Sequence, residues 1–267
     1  MTAPEFERAQ VFSFVKPERT EAGPLSTRDQ RLKILTYNIR HCAGTDDTLD
    51  LSRTAEAIRQ MRPDFVGLQE VDQGVGRSES VNQPSELAKR LKMDAAFGSF
   101  MSYGGGEYGL AILSRRPIKS ARALRLLNGN EPRVALFVDV VLPDGQAVTL
   151  VNVHFDWVDD DGFRFAQATQ LAGVLKTLQT PYVLLGDFND EPGSRTIRLF
   201  QGLAAEAKKP SADRLTFSSI KPEKEIDFIF AGPADRWKIG AAKVQDVAIV
   251  SDHRPVFADL TLKPTAP

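Results

Sequence analysis

Apolar and polar positions alternate along much of the chain with the period of half-buried strands, and helical spacing interrupts this at a few points. Residues 33–39 form a β-rich apolar run. From 51 to 61, Leu51, Ala55, Ile58 and Met61 fall near one helical face, with Asp50 as N-cap and Pro63 closing the helix. Residues 64–71 read as a buried strand and the polar, glycine-containing stretch 73–83 as a loop. Pro84 suits the first turn of a short helix that runs to 93. Strands are expected at 95–101, 109–114, 133–142 and 147–155, the last two joined by a Pro-Asp-Gly-Gln hairpin turn at 143–146. The longest helical stretch, 161–178, carries Phe165, Ala168, Leu171, Ala172 and Leu175 on its apolar face. A short strand at 182–186, a short helix after Pro192 and strands at 226–230, 237–244 and 256–262 complete the pattern.

Strand pairs joined by short turns alternate with helical crossovers, which predicts two packed sheets with helices outside. Residues 1–30, interrupted by Pro4, Pro17 and Pro24, read as an irregular N-terminal arm, and 31–264 as a single domain. Of the 267 residues 42% are hydrophobic and 26% charged, enough apolar material for a core without staples. The single cysteine, Cys42, excludes an intramolecular disulfide and a thiolate zinc cluster. The first 31 residues hold no apolar run of signal-peptide or membrane-span length, so a cytoplasmic location is expected. A net charge of -1 disfavours non-specific nucleic-acid binding while leaving room for a local basic cleft.

Candidate chemistry collects where the expected strands end. Asn38 and Glu70 stand at the ends of the first two strands, and Asn152 and His154 near the end of another. Asp187 and Asn189 follow the strand at 182–186, Asp227 sits inside an apolar run, and Asp252 and His253 precede the last strand. Each has an ordinary structural reading by itself: a turn residue, a strand end, an Asx-turn, a core histidine. Together they are harder to dismiss, because two of only three histidines fall among them and a buried Asp227 needs a partner. Oxygen donors of this kind suit magnesium or manganese and not zinc. A His-Glu-x-x-His pair, a Walker-type glycine loop and a Gly-x-Ser-x-Gly elbow are all absent from the sequence.

These positions lie in six ordered strings: LTYNIR at 35–40, VGLQEVD at 66–72, VNVHFDW at 151–157, LLGDFND at 184–190, IDFIF at 226–230 and SDHRPV at 251–256. The series resembles the endonuclease/exonuclease/phosphatase family, and the likeness spans about 33–262. The resemblance implies a deoxyribonuclease-like four-layer αββα sandwich, with two mixed β-sheets flanked by helices and the site at one edge. It implies Mg2+, with Mn2+ as substitute, held by Glu70 with Asn38 and Asp252. Asp187 would orient or deprotonate the attacking water beside Asn189. His253, held by Asp227, would touch the scissile phosphate, and Asn152 and His154 would bind its oxygens. General phosphoryl chemistry agrees, since it needs positioning, charge neutralisation and a base.

Arg40, His41, Arg77, Tyr108 and Arg133 lie in or beside the strings and are candidate substrate contacts, with Arg164 an outside candidate. The chain lacks the Asn-rich string of the abasic-site nucleases, having Phe155, Asp156 and Trp157 there, and lacks the extra motifs of the 5-phosphatases. The expected activity is metal-dependent hydrolysis of a small or lipid-derived phosphate ester. A nuclease is the alternative, with nucleic acid a possible but unfavoured partner, and a catalytically inactive binding protein is the remote one.

Overall fold

The computed structural model describes residues 6–15 and 29–264. In chain order it forms β1 (Phe6–Arg8), β2 (Gln10–Phe12), β3 (Gln30–Asn38), α1 (Leu51–Met61), β4 (Phe65–Gln73), α2 (Gln83–Leu91), β5 (Asp94–Tyr103), β6 (Gly106–Ser114) and β7 (Ile118–Arg125). It continues with β8 (Val134–Val141), β9 (Ala147–His154), α3 (Gly162–Leu175), β10 (Tyr182–Asp187), α4 (Arg195–Gln201), β11 (Ala205–Glu206), β12 (Asp227–Gly232), β13 (Trp237–Val244) and β14 (Val256–Leu262). Helix starts follow the sequence. Asp50, Asn82 and Ser194 each accept a backbone N–H of the first turn of α1, α2 and α4.

One sheet has the order β1-β7-β8-β9-β10-β12-β11 and the other β13-β14-β3-β4-β6-β5-β2. Each contains one parallel pair, β9 with β10 and β3 with β4, and the other pairings are antiparallel. A parallel pair needs a crossover, and α3 and α1 supply the two. Side-chain alternation then decides the layers. Leu32 and Ile34 of β3 point between the sheets, where they meet Leu150 of β9, Leu185 of β10 and Ile229 of β12. Leu35 and Tyr37 point the other way, onto α1 and α2, and Val151, Leu184 and Phe228 point onto α3 and α4. The result is the expected four-layer αββα sandwich. Among the described residues, no helix is long and apolar enough to cross a membrane.

Three parts differ from the sequence reading. The irregular arm expected at 1–30 lies outside the described residues at 1–5 and 16–28, but 6–12 form β1 and β2. These pair with β7 and β5, covering an open edge of each sheet, and such pairing depends on a partner about a hundred residues away. Strand β7 was not expected, because Lys119, Arg122 and Arg125 mask its alternation. The helix expected at 161–178 ends at Leu175.

Asn152 joins the two sheets. Its Nδ2 donates to the carbonyls of Leu68 and Ala111 on the opposite sheet, at 2.8 and 2.9 Å, and its Oδ1 accepts from Gln69 Nε2 at 2.7 Å. Gly67 permits the approach, since a Cβ there would stand 2.6 Å from Leu185 Cδ1. The phosphate contact expected of Asn152 is therefore corrected: its amide is fully buried and its polar atoms are occupied by the opposite sheet. Asn152→Ala removes three buried hydrogen bonds, to the Leu68 and Ala111 carbonyls and from the Gln69 amide, so it should cost on the order of 3 kcal/mol in urea unfolding.

Candidate active site

The face between the sheets changes from hydrocarbon to polar within one pleat. Along β3 the inward positions read Leu32, Ile34, Thr36, Asn38; along β9, Leu150, Asn152, His154; along β10, Leu185, Asp187; and along β12, Ile229, Asp227. Register aligns the polar ends. Asp187 is opposite His154 on one side and Asp227 on the other. Glu70 reaches the same edge by a different device. A register shift between Leu68 and Val71 inserts one extra residue into β4, and Glu70 takes a left-handed φ of 58°.

The buried cluster is continuous. His253 Nδ1 donates to Asp227 Oδ2 at 3.0 Å, and His253 Nε2 lies 3.6 Å from Asp187 Oδ2. His154 Nε2 is 3.5 Å from that same oxygen. Asn38 Nδ2 donates to Glu70 Oε1 at 3.0 Å and to Asp187 Oδ2 at 3.1 Å. Arg133, only 2% exposed, packs its guanidinium over Phe100, pairs with Glu131 at 2.9 Å and puts Nη1 3.4 Å from His154 Nδ1. A guanidinium only donates, so His154 Nδ1 accepts and its proton sits on Nε2, toward Asp187.

Burial opposes charge on His253, but Asp227 and Asp187 outweigh it and raise the imidazole to about 10. His154 moves the other way: burial, with Arg133 and His253 nearby, holds it well below the usual histidine value. Burial also pushes the Asp187 carboxyl above the ordinary carboxylate range against the pull of His253. The site thus pairs a cationic and a neutral histidine around one carboxyl of raised basicity.

Above the cluster opens a cavity of about 650 Å3 lined by Glu70, Arg133, His154, Asp187, Asp252 and His253, among others. Two carboxylate sets are candidates for a cation. Asp187, Asp227 and His253 bring one ligand atom each within 4.8 Å of one another. That set is the poorer fit, because its atoms are already engaged with one another: His253 Nδ1 bonds Asp227 Oδ2, and Asp187 Oδ2 accepts from Asn38 Nδ2. Glu70 and Asp252 do fit. Both line the cavity, and among the described residues they accept hydrogen bonds only from Asn38 and Ser251, which leaves hard carboxylate oxygens free.

Of the other expected site residues, Asn189 lines the cavity, donates its backbone N–H to Asp187 Oδ1 and gives its amide to Phe155 O. Tyr108, Arg77 and Arg164 also line it. Arg77 lies between the rings of Tyr103 and Tyr108, at 4.6 and 4.8 Å, and is bidentate to Asp72. Three expectations are corrected. Asn38 presents its NH2 to the carboxylates, because its Oδ1 accepts from Arg40 N, so it braces Glu70 and Asp187 and offers no ligand oxygen. Arg40 and His41 do not line the cavity. A turn with left-handed φ at Arg40, His41 and Cys42 carries them away, and Arg40 binds Gly44 O and Asp47.

Sequence reading missed what stands behind the Asp227–His253 pair. Lys209, fully buried, donates to Asp227 O at 2.8 Å, pairs with Glu225 at 3.0 Å and sits 4.2 Å over the Phe228 ring. Thr216 Oγ1 accepts from Asp227 N while its carbonyl accepts from Arg254 N, so it links the segments that carry the pair. Nothing in the irregular stretch 207–225 marks either residue, since Lys209 follows another lysine and precedes a proline.

Residues 35–253 match the sequence profile of the Endonuclease/Exonuclease/phosphatase family, a span that holds every member of this cluster. The chain belongs to that family. The uncharacterized protein YbhP of Escherichia coli K12 is 28% identical to this family member over 257 residues, covering 90% of this chain and 100% of YbhP. An endonuclease/exonuclease/phosphatase of Beutenbergia cavernae has a similar structure, with 25% identity, a TM-score of 0.74, and 88% and 73% of the two chains covered. A mannosyl-6-phosphatase of Bacteroides thetaiotaomicron shares the fold at 19% identity, with a TM-score of 0.68 over 86% of this chain and 99% of that one.

Lys209→Met should cost about 3 kcal/mol in denaturant unfolding, the low end for a broken buried pair because Arg214 still reaches Glu225. The double variant Lys209→Met/Glu225→Gln should recover most of that loss.

Proposed function

We propose that this family member hydrolyses phosphate esters of a small or lipid-derived alcohol with the help of Mg2+. The observation that carries the reading is one cavity in which free carboxylate oxygens of Glu70 and Asp252 face Asp187, cationic His253 and buried Arg133. Glu70 and Asp252 would hold the cation, which when bound supplies charge neutralisation at a phosphoryl oxygen. His253 places an N–H beside the phosphoryl group, and Asp227 fixes its ring and favours its charged form. Neutral His154 and Arg133 donate to the other oxygens. Asp187, whose raised basicity comes from burial, orients and deprotonates water, and the Asn189 backbone N–H holds its other oxygen. Asn38 keeps Glu70 and Asp187 apart from each other and in place.

A long polyanion is the less suitable substrate. Glu131, Asp159, Asp190 and Glu191 line the cavity beside Arg77, Arg164 and Lys224, so its lining is mixed in charge and not the basic track that a phosphate backbone favours.

With magnesium the purified protein should cleave bis-(p-nitrophenyl) phosphate and leave supercoiled plasmid intact; nicked plasmid with an uncut diester would overturn the substrate reading. Glu70→Ala should abolish the magnesium signal in calorimetry and lower turnover roughly 100-fold or more. His253→Ala should keep magnesium binding and lose kcat by roughly 100- to 1,000-fold. Asp187→Asn should lower kcat by roughly 100- to 10,000-fold at nearly constant KM, and full activity in it would remove Asp187 as the base.

A further inference from the structure

Trp157 stands three residues after His154, lines the catalytic cavity and is 55% exposed. The segment that carries this exposed indole is held by several hydrogen bonds. The carbonyls on both sides of it, Asp156 O and Val158 O, each accept from Arg164 Nη1 at 3.0 Å. Arg164 Nε is also paired with Asp190 at 3.2 Å, which ties the loop after β9 to the loop after β10. Buried Asp156 anchors the same turn: its N–H donates to Gln167, and its carboxylate accepts from Val158 N and Asn130 N. The indole itself has no hydrogen bond or ring contact among the described residues. The chain has fixed a large apolar face in water at the mouth of its reaction site.

The wall beside it has one polarity. The loops after β9 and β10 line the cavity with Asp159, Asp190 and Glu191, which accept only. Of the donors on that wall, Arg164 Nη1 is taken by the carbonyls, its Nε is ion-paired with Asp190, and the Asn189 amide is taken by Phe155 O. Across the cavity, Tyr108 is 9% exposed and its hydroxyl has no partner among the described residues. A ligand here needs an apolar face for the indole and hydroxyl donors for the carboxylates. A nucleobase edge mixes donors with acceptors, and its acceptors would face carboxylates.

We propose that Trp157 is a specificity residue, the stacking platform for the alcohol half of the substrate, and that this half is a hydroxyl-bearing ring such as a sugar or cyclitol. The inference rests on the phosphate-ester reading for the other half, at Asp187 and His253. Arg164 acts as a positioning residue that holds the platform.

Tryptophan fluorescence reads the platform directly, because the second tryptophan, Trp237, is buried and bonded to Gly232 O. In an Asp187→Asn background, inorganic phosphate, glucose 6-phosphate, myo-inositol 1-phosphate, phosphocholine and adenosine monophosphate are titrated by fluorescence, and their affinities for this protein and for its added Trp157→Ala and Trp157→Phe variants are compared by calorimetry. The ring phosphates should shift the emission to shorter wavelength and bind about 10-fold tighter than phosphate, with Trp157→Ala removing the preference and Trp157→Phe keeping part of it. Tighter binding of phosphocholine or the nucleotide, or an unchanged preference in Trp157→Ala, overturns the proposal. Ring-phosphate binding by a wild-type protein that cleaves no phosphate ester would refute the hydrolase reading and keep the subsite. Cleavage without ring preference would do the reverse.

Discussion

One pleat separates hydrocarbon from charge in this molecule. Leu185 and Ile229 belong to the core between the sheets, and the next inward positions on the same strands are Asp187 and Asp227, each about 1% exposed. Two carboxyls so close and so dry are tolerable only because donors reach both. His253 lies between them, and Asn38 bonds Asp187. Breaking such a set leaves an uncompensated buried charge, typically about 3–5 kcal/mol. The arrangement that shifts the histidines in opposite directions is therefore also a structural necessity of the sandwich edge.

That edge stays in register because the sheets are joined beneath it. Asn152 takes the carbonyls of Leu68 and Ala111, next to the bulge that turns Glu70 outward. Glu70 approaches from one sheet, and His154 and Asp187 from the other. A slip of either sheet would separate the carboxylate that fits a cation from the groups that fit the phosphoryl oxygens. The clamp thus serves the chemistry without touching substrate.

Period and motif together made most of this legible. Apolar runs located the strands, and the polar residues at or near their ends named the edge: Asn38, Glu70, His154 and Asp187, with Asp227 set inside a run of its own. What stayed unread depends on partners remote in the chain. The targets of Asn152 are backbone carbonyls of another sheet, which no side-chain pattern encodes. Lys209 finds Asp227 across an irregular loop. The direction of Asn38 is set by the N–H of Arg40, two residues on, in a turn of left-handed backbone that also removes Arg40 and His41 from the cavity. Strands β1 and β2 exist because open edges await them, a property of the finished sheets and not of residues 6–12.

The two halves of the cavity obey different rules. Its floor is built on strands, where register and alternation leave little freedom, so the gathering of Asn38, His154, Asp187 and Asp227 at one edge follows from the fold. Its outer wall is built on the loops after β9 and β10, which the sandwich does not constrain. Yet here those loops are rigid, crosslinked by Arg164 and anchored by Asp156. Rigidity in a loop removes conformational entropy that binding would otherwise cost, and that is of use only if the exposed surface has something to meet. A half-solvated indole on such a support is a standing loss in water and a gain against a complementary face. On that proposal, selectivity in this family member resides where Trp157 is held, three residues beyond His154.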